Sequence, residues 1–434
     1  MIRPFDSSLD FARDSLRIPP RGAPRASWFI VLILLAGGLA GCGKAKPSST
    51  LTMWLVGSEA QARTIQELSK TFTERTGVSV ICEAVAWGEA HSKYLTAVAG
   101  GVQPDIGTMG LTWGAEFGRL GALVELRQAV GQDLDAIQRH TFPGLWQSIE
   151  QDGKVYGIPL DLTLQILYYR TDLIPQPPRT WEDLVDLLQR LRGEDRRMII
   201  DWGSLSWIGY APLLWQAGGA FYNDARTEAT LDHPEAIRAA EFFRDLYRKY
   251  GVPKTSIPLE QGLRTGEFPL AMSGNWKIVS LMVGLPELDG KWAVAMLPKG
   301  PGGTRTAFLG GRILTLFAKS TRQAQAWQFV RYLFEPAVQV KLYQAALETQ
   351  DAYLPPNRAT WPQLPMAAAM KAVLEEQAEE AKGPPPVPGW EDATQLIETG
   401  LQRIILHDAD VHEELGDVTR GMNRALERAR HPER

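Results

Sequence analysis

The chain is 434 residues long, with 44% hydrophobic and 22% charged positions, which supports a substantial core and excludes a disordered chain. Its 46 basic and 50 acidic residues leave a formal charge of −4, a balance that offers nucleic acid no basic surface. At about 100–200 residues per domain, two or three domains are expected.

The first element lies at the N-terminus. Trp28 to Ala40 reads WFIVLILLAGGLA behind Arg21 and Arg25, the pattern of an export signal. The run is shorter than the roughly 20 apolar residues of a membrane span. It ends in Leu39-Ala40-Gly41-Cys42, a bacterial lipobox in which the cysteine becomes the lipidated first residue after cleavage. Residues 1–41 therefore read as a lipoprotein signal peptide, Cys42 as the lipidation site and 42–49 as a polar tether. The expected product is exported and touches the membrane through its lipid. Cys82, the other cysteine, sits in a strand-like run and reads as a small buried hydrophobe.

Leu51 to Val56 is a short apolar strand, and Ile65, Leu68 and Phe72 then recur at helical spacing. Val78 to Glu83 predicts a second strand, Glu89 to Ala99 a second helix and Pro104 to Met109 a third strand. This alternation predicts a parallel sheet covered by helices. Such sheets bind ligands at the carboxyl ends of their strands. Those ends carry Gly57-Ser58-Glu59, Trp87-Gly88-Glu89 and Gly110 to Trp113, so two of the three bring a tryptophan.

Lys154 to Leu160 and Leu164 to Tyr169 are extended runs joined through Asp161. Helices are predicted over Thr180 to Leu191, Gly209 to Ala217, Glu235 to Tyr250 and Gln323 to Leu333. Trp292 to Met296 and Ile313 to Ala318 read as strands. The last hundred residues read as helical around Met366 to Glu380 and Asp392 to His407, interrupted by the proline run 384–388. Trp54, Trp181, Trp292 and Trp327 lie within regular elements and read as core.

Catalytic motifs are missing. The six histidines have no metal spacing, His412-Glu413-Glu414-Leu415 is followed by Gly416 where a zincin needs histidine, and there is no G-x-S-x-G elbow. Glu59, Glu89 and Asp161 could form a glycosidase pair only if their strand ends converge.

From Leu51 to about Leu426 the chain resembles the extracellular solute-binding proteins of bacterial ABC importers, in the carbohydrate-binding family 1 related to maltose-binding protein. The resemblance rests on LTMWLVGSEA at 51–60, TFTERTGV at 71–78, Gln103-Pro104-Asp105-Ile106, and GKVYGIP at 153–159. It continues through LYYRTDL at 167–173, the tryptophan-containing stretch from Pro178 to Leu184, Phe268 to Trp276, and YLPPN at 353–357. It implies an α/β, two-lobed periplasmic-binding-protein fold (type II) joined by crossing hinge segments. Lobe 1 would take 50–158 with 305–345, and lobe 2 would take 159–304 with 346–434. It also implies a monomer, no cofactor, no metal and no catalysis, and delivery of a captured ligand to the transmembrane subunits of an ABC permease.

Sugars expose flat C–H faces and many hydroxyls, so a cleft for them combines aromatic shelves with polar edges. By position, the resemblance makes Ser58, Glu59, Trp87, Trp113 and Asp161 ligand contacts. From lobe 2 and the return crossing it adds Trp207, Tyr210, Trp276, Arg312 and Trp390. The expected ligand is a di- or oligosaccharide, an α-glucoside such as maltose or trehalose being one choice. Alternatives are a binding protein for a polyamine, peptide or glycerol phosphate ester, and an exported glycoside-active enzyme.

Overall fold

The computed structural model describes residues 49–350 and 353–431; the expected signal peptide, Cys42 and the expected tether up to Ser48 lie outside the described residues. In chain order the strands are β1 (Ser49–Val56), β2 (Val78–Val85), β3 (Ile106–Gly110), β4 (Glu150–Gln151), β5 (Lys154–Val155), β6 (Ile158–Pro159) and β7 (Thr163–Arg170). They continue with β8 (Met198–Ile200), β9 (Leu270–Gly274), β10 (Trp292–Ala295), β11 (Ala307–Gly310), β12 (Arg312–Leu316) and β13 (Ala381–Lys382).

The first sheet has the order β2-β1-β3-β12-β6. Its parallel half is the predicted unit: β1 pairs in parallel with β2 and β3, and the helices Glu59–Thr76 and Trp87–Gly100 make the connections. The helix Glu59–Thr76 starts on a Ser58 capping box with Gln61 and stops at Gly77, which takes the left-handed conformation a helix end requires. The other half is antiparallel and comes from distant sequence, with β12 beside β3 and β6 beside β12. Local periodicity cannot supply that pairing.

The second sheet is mixed, in the order β13-β11-β7-β9-β8, with β10 also on β7. Strand β7 is its spine. Strand β9 takes one edge, and β10 and β11 share the other. All of β7 except Tyr169 is buried, so its sequence LQILYY shows no alternation of apolar and polar residues.

The helices Val411–Arg430 and Pro336–Glu348 were absent from the predicted elements. Trp181 and Trp327 are buried as expected, whereas Trp54 and Trp292 are half-buried. Trp54 lies against Tyr94 with the Lys93 ammonium 4.3 Å from its ring, so an aliphatic stem and a charge cover its outer face.

Three segments run between the sheets. The chain leaves β6 for β7 through residues 160–162 and returns from β11 to β12 through Gly311. A third strand-like contact pairs Leu162 with Leu354 through reciprocal backbone hydrogen bonds of 2.8 and 2.9 Å. Gly311 is required at its position: its φ is 145°, and a Cβ there would lie 2.3 Å from the Asp161 carbonyl oxygen.

Asp105 locks the first sheet at the end of β3 remote from Gly110. It is buried and accepts from the Thr52 amide (2.8 Å), Ser320 Oγ (2.6 Å) and Arg322 Nη2 (2.8 Å). Burial alone would push its carboxyl up, but the hydrogen bonds from Arg322, Ser320 and Thr52 outweigh it and hold the carboxyl below its ordinary 3.8. The native state therefore binds this proton less readily than the unfolded chain. The stabilisation is present above pH 3.8 and is lost as pH falls through the lower folded value. Asp105→Ala is expected to lower stability by about 2–3 kcal/mol at pH 7. Asp105→Asn should flatten the acid limb of a urea-unfolding series run against pH.

Candidate ligand-binding cleft

The cleft is built from the hinge outward. Arg312, the first residue of β12, and Asp161, in the first crossing segment, form an ion pair whose side chains are only 6% and 9% exposed. Arg312 Nε donates to Asp161 Oδ2 at 2.8 Å, Nη2 donates to the same oxygen, and the Arg312 amide donates to Oδ1 at 2.9 Å. Nη1 donates to the carbonyl of Val56, the last residue of β1, at 2.6 Å and to Gln61 Oε1 at 2.8 Å. The guanidinium also lies over the Tyr353 ring, 5.0 Å from its centroid. One side chain thus connects the carboxyl end of β1, the start of the first helix and all three crossings. With its carboxylate held by Arg312, Asp161 is not half of a hydrolytic carboxylate pair.

From Tyr353 an arc of rings runs through the second lobe. Centroid separations are 6.1 Å from Tyr353 to Trp276, 4.8 Å from Trp276 to Trp202, 5.2 Å from Trp202 to Phe308, 5.2 Å from Phe308 to Trp207, and 5.1 Å from Trp207 to Trp390. Most of these contacts are edge-to-face, the arrangement favoured by the ring quadrupole. Tyr353, Trp276, Trp202 and Trp207 are half-buried, and Trp390 is buried. Trp276 folds back over its own strand end. A Cβ on Gly274 would fall 2.0 Å from its ring, so only glycine permits that placement.

The arc reaches the first lobe beside Trp390. Glu391 Oε1 accepts from Thr112 Oγ1 at 2.6 Å, and the next residue, Trp113, packs edge-to-face on Trp87 (6.0 Å) and His91 (5.1 Å). Trp87 is 46% exposed. His91 Nε2 lies 2.9 Å from Glu116 Oε2, and this hydrogen bond outweighs burial to hold the imidazole above its ordinary 6.5. Burial pushes the Glu391 carboxyl above its ordinary 4.5.

Of the residues singled out from sequence, the arc and its continuation bring together Trp276, Trp207, Trp390, Trp113 and Trp87, with Arg312 and Asp161 at the hinge. Ser58 and Glu59 are exposed at the carboxyl end of β1, and the Ser58 hydroxyl accepts from the Gln61 amide as a helix cap. Tyr210 is fully buried, and its hydroxyl donates to the Ala236 carbonyl at 2.8 Å, so it packs the second lobe's core. Trp202, Tyr353, Glu391, Gln61 and His91 were not identified from sequence. Trp202 follows β8 as Trp87 and Trp113 follow their strands, and recognising Met198–Ile200 as a strand would have exposed it. Burial pushes the Cys82 thiol up to about 12, as fits a packing residue.

Two α/β sheets tied by crossing segments, with an arc of aromatic rings at their junction, are the arrangement of a two-lobed solute receptor. Residues 67–372 match the family described as bacterial extracellular solute-binding protein, and the chain belongs to that family, whose members bind solutes and do not transform them. The sugar-binding protein MalE of Xanthomonas citri superposes with a TM-score of 0.79 at 26% identity, covering 88% of this chain and 98% of that one. A putative binding protein of Brucella abortus is 24% identical over 414 residues, 88% of this chain and 95% of its own. The maltodextrin-binding protein MdxE of Bacillus subtilis is 24% identical over 342 residues, 74% of this chain and 75% of its own.

Removing one partner of the hinge pair leaves the other charged and buried. Asp161→Ala and Arg312→Ala are each expected to cost about 3–5 kcal/mol in urea unfolding, and the double variant less than their sum. His91 and Glu391 both have raised folded values, so their contribution to stability is complete at low pH and is lost as pH rises through those values. An NMR titration should place His91 above 6.5, with Glu116→Gln returning it toward that value.

Proposed function

We propose that this protein captures a di- or oligosaccharide between its lobes and delivers it to the transmembrane subunits of an ABC permease. The observation that carries the reading is the run of rings from Tyr353 to Trp207, half-buried except for the buried Phe308, continued by Trp113 and Trp87 across the Thr112–Glu391 contact. Flat aromatic faces at spacings of a few ångströms match the C–H faces of successive pyranose rings, and each such contact excludes water. Ser58, Glu59 and Glu391 supply polar atoms for hydroxyls. Trp276 and Trp113 are the main shelves, one from each lobe, with Trp87, Trp202, Trp207 and Tyr353 beside them. Arg312 and Asp161 set the angle of the crossings. Relatives described as sugar-binding and maltodextrin-binding proteins support the carbohydrate class. An α-glucoside such as maltose or trehalose is the first ligand to test.

Closure about the crossings would be a population shift, since a sugar touching both lobes binds the closed form more tightly. The chain acts as a monomer and is held to the membrane through the lipid on Cys42.

Calorimetry of the purified chain against mono-, di- and oligosaccharides, with spermidine, glycerol 3-phosphate and a peptide mixture as controls, tests the ligand class. Binding by one sugar class alone is expected, and Trp276→Ala and Trp113→Ala should each weaken it by about 10- to 100-fold. Heat released only by a control ligand would reject the carbohydrate reading. Cys42→Ala should move the protein from the membrane fraction to the soluble one.

A further inference from the structure

A second crevice between the lobes, of about 320 Å³, lies apart from the aromatic arc and is lined by four basic side chains. Arg119 and Lys154 come from the first lobe. Arg119 ends the helix Trp113–Arg119, and Lys154 lies on β5, close to Tyr156, which packs against Gly118 of that helix. Arg226 and Arg430 come from the second lobe. Arg226 sits in a turn whose carbonyl accepts from Arg430 Nη2 at 2.8 Å, at the end of the helix Val411–Arg430.

Among the described residues, none of these four side chains makes an ion pair. Asp152, the one carboxylate lining the crevice, is exposed in the β4–β5 turn. Two basic side chains from each lobe thus line one crevice, three of them exposed and Arg226 half-buried. Like charges across a narrow gap repel, and a crevice between low-dielectric walls concentrates their field.

We propose that this crevice binds an oxyanion (a carboxylate, sulfate or phosphate group) and that the anion draws the lobes together by accepting from arginines on both sides. Guanidinium groups suit this task because they present forked donors to planar or tetrahedral oxygens. The anion has two sources: a free inorganic ion, or an acidic substituent on a solute that spans the cleft. The inference does not depend on the carbohydrate reading, because the crevice residues are separate from the rings of the arc.

The test titrates inorganic sulfate into the purified full chain by calorimetry, at ionic strength held constant with chloride so that general salt effects cancel. Saturable binding is expected, weakened about tenfold by Arg119→Ala in the first lobe and by Arg430→Ala in the second. Arg119 donates to Gln151 Oε1 and Arg430 to the Arg226 carbonyl through exposed hydrogen bonds only, so both variants should melt within a few degrees of the wild type without sulfate. Titrations then compare a neutral disaccharide with its uronic-acid and sulfated counterparts. Tighter binding of the acidic sugars, lost in both variants, would place the anion on the solute. Equal sugar binding with sulfate binding intact would make a free anion the occupant. A titration that does not saturate, or a loss confined to variants of one lobe, would overturn the proposal whether or not any sugar binds.

Discussion

The structure turns on the buried pair of Asp161 and Arg312. A guanidinium taken out of water must have its N–H groups matched, and here the partners are one carboxylate, the last carbonyl of β1 and a glutamine in the first helix turn. Each partner belongs to a different element. Satisfying one side chain therefore fixes the end of the first sheet, the entry to its first helix and the path of the chain into the second lobe. Gly311 completes the arrangement, because the backbone must pass too close to Asp161 for any side chain to fit.

The arc of rings is arranged with respect to that joint. The rings begin on Tyr353, directly beneath Arg312, and leave it along the carboxyl end of the second sheet. Edge-to-face packing holds each ring by its neighbour, which lets wide flat surfaces stay half-exposed without collapsing onto one another. A cleft preorganised in this way spends little binding energy on ordering side chains, and what it gains from a sugar goes into affinity and closure.

Polar groups are distributed differently from the rings. The contact between the lobes at Thr112 and Glu391 places a buried carboxyl near the His91–Glu116 pair, a local cluster that favours protonation. The basic crevice has the opposite sign. The two clusters therefore place charges of opposite sign at different points along the junction of the lobes.

Sequence by itself determined much of the local architecture. The strand–helix alternation from Leu51 to Met109 and the non-helical proline run follow from side-chain periodicity and backbone preference, which are properties of neighbouring residues. It also marked Trp87 and Trp113 as tryptophans at strand ends, and the family resemblance placed Trp276, Asp161 and Arg312 among the expected ligand contacts. Tertiary structure alone decided that Asp161 and Arg312 satisfy each other, because residues 151 apart in sequence carry no local sign of their pairing. It likewise turned Tyr210 into the core, since helical phase within an almost wholly apolar segment leaves several faces equally suited to burial. It added Trp202, Tyr353 and Glu391 to the cleft. Their positions depend on a three-residue strand, a third crossing and a contact between lobes, and long-range packing sets all three.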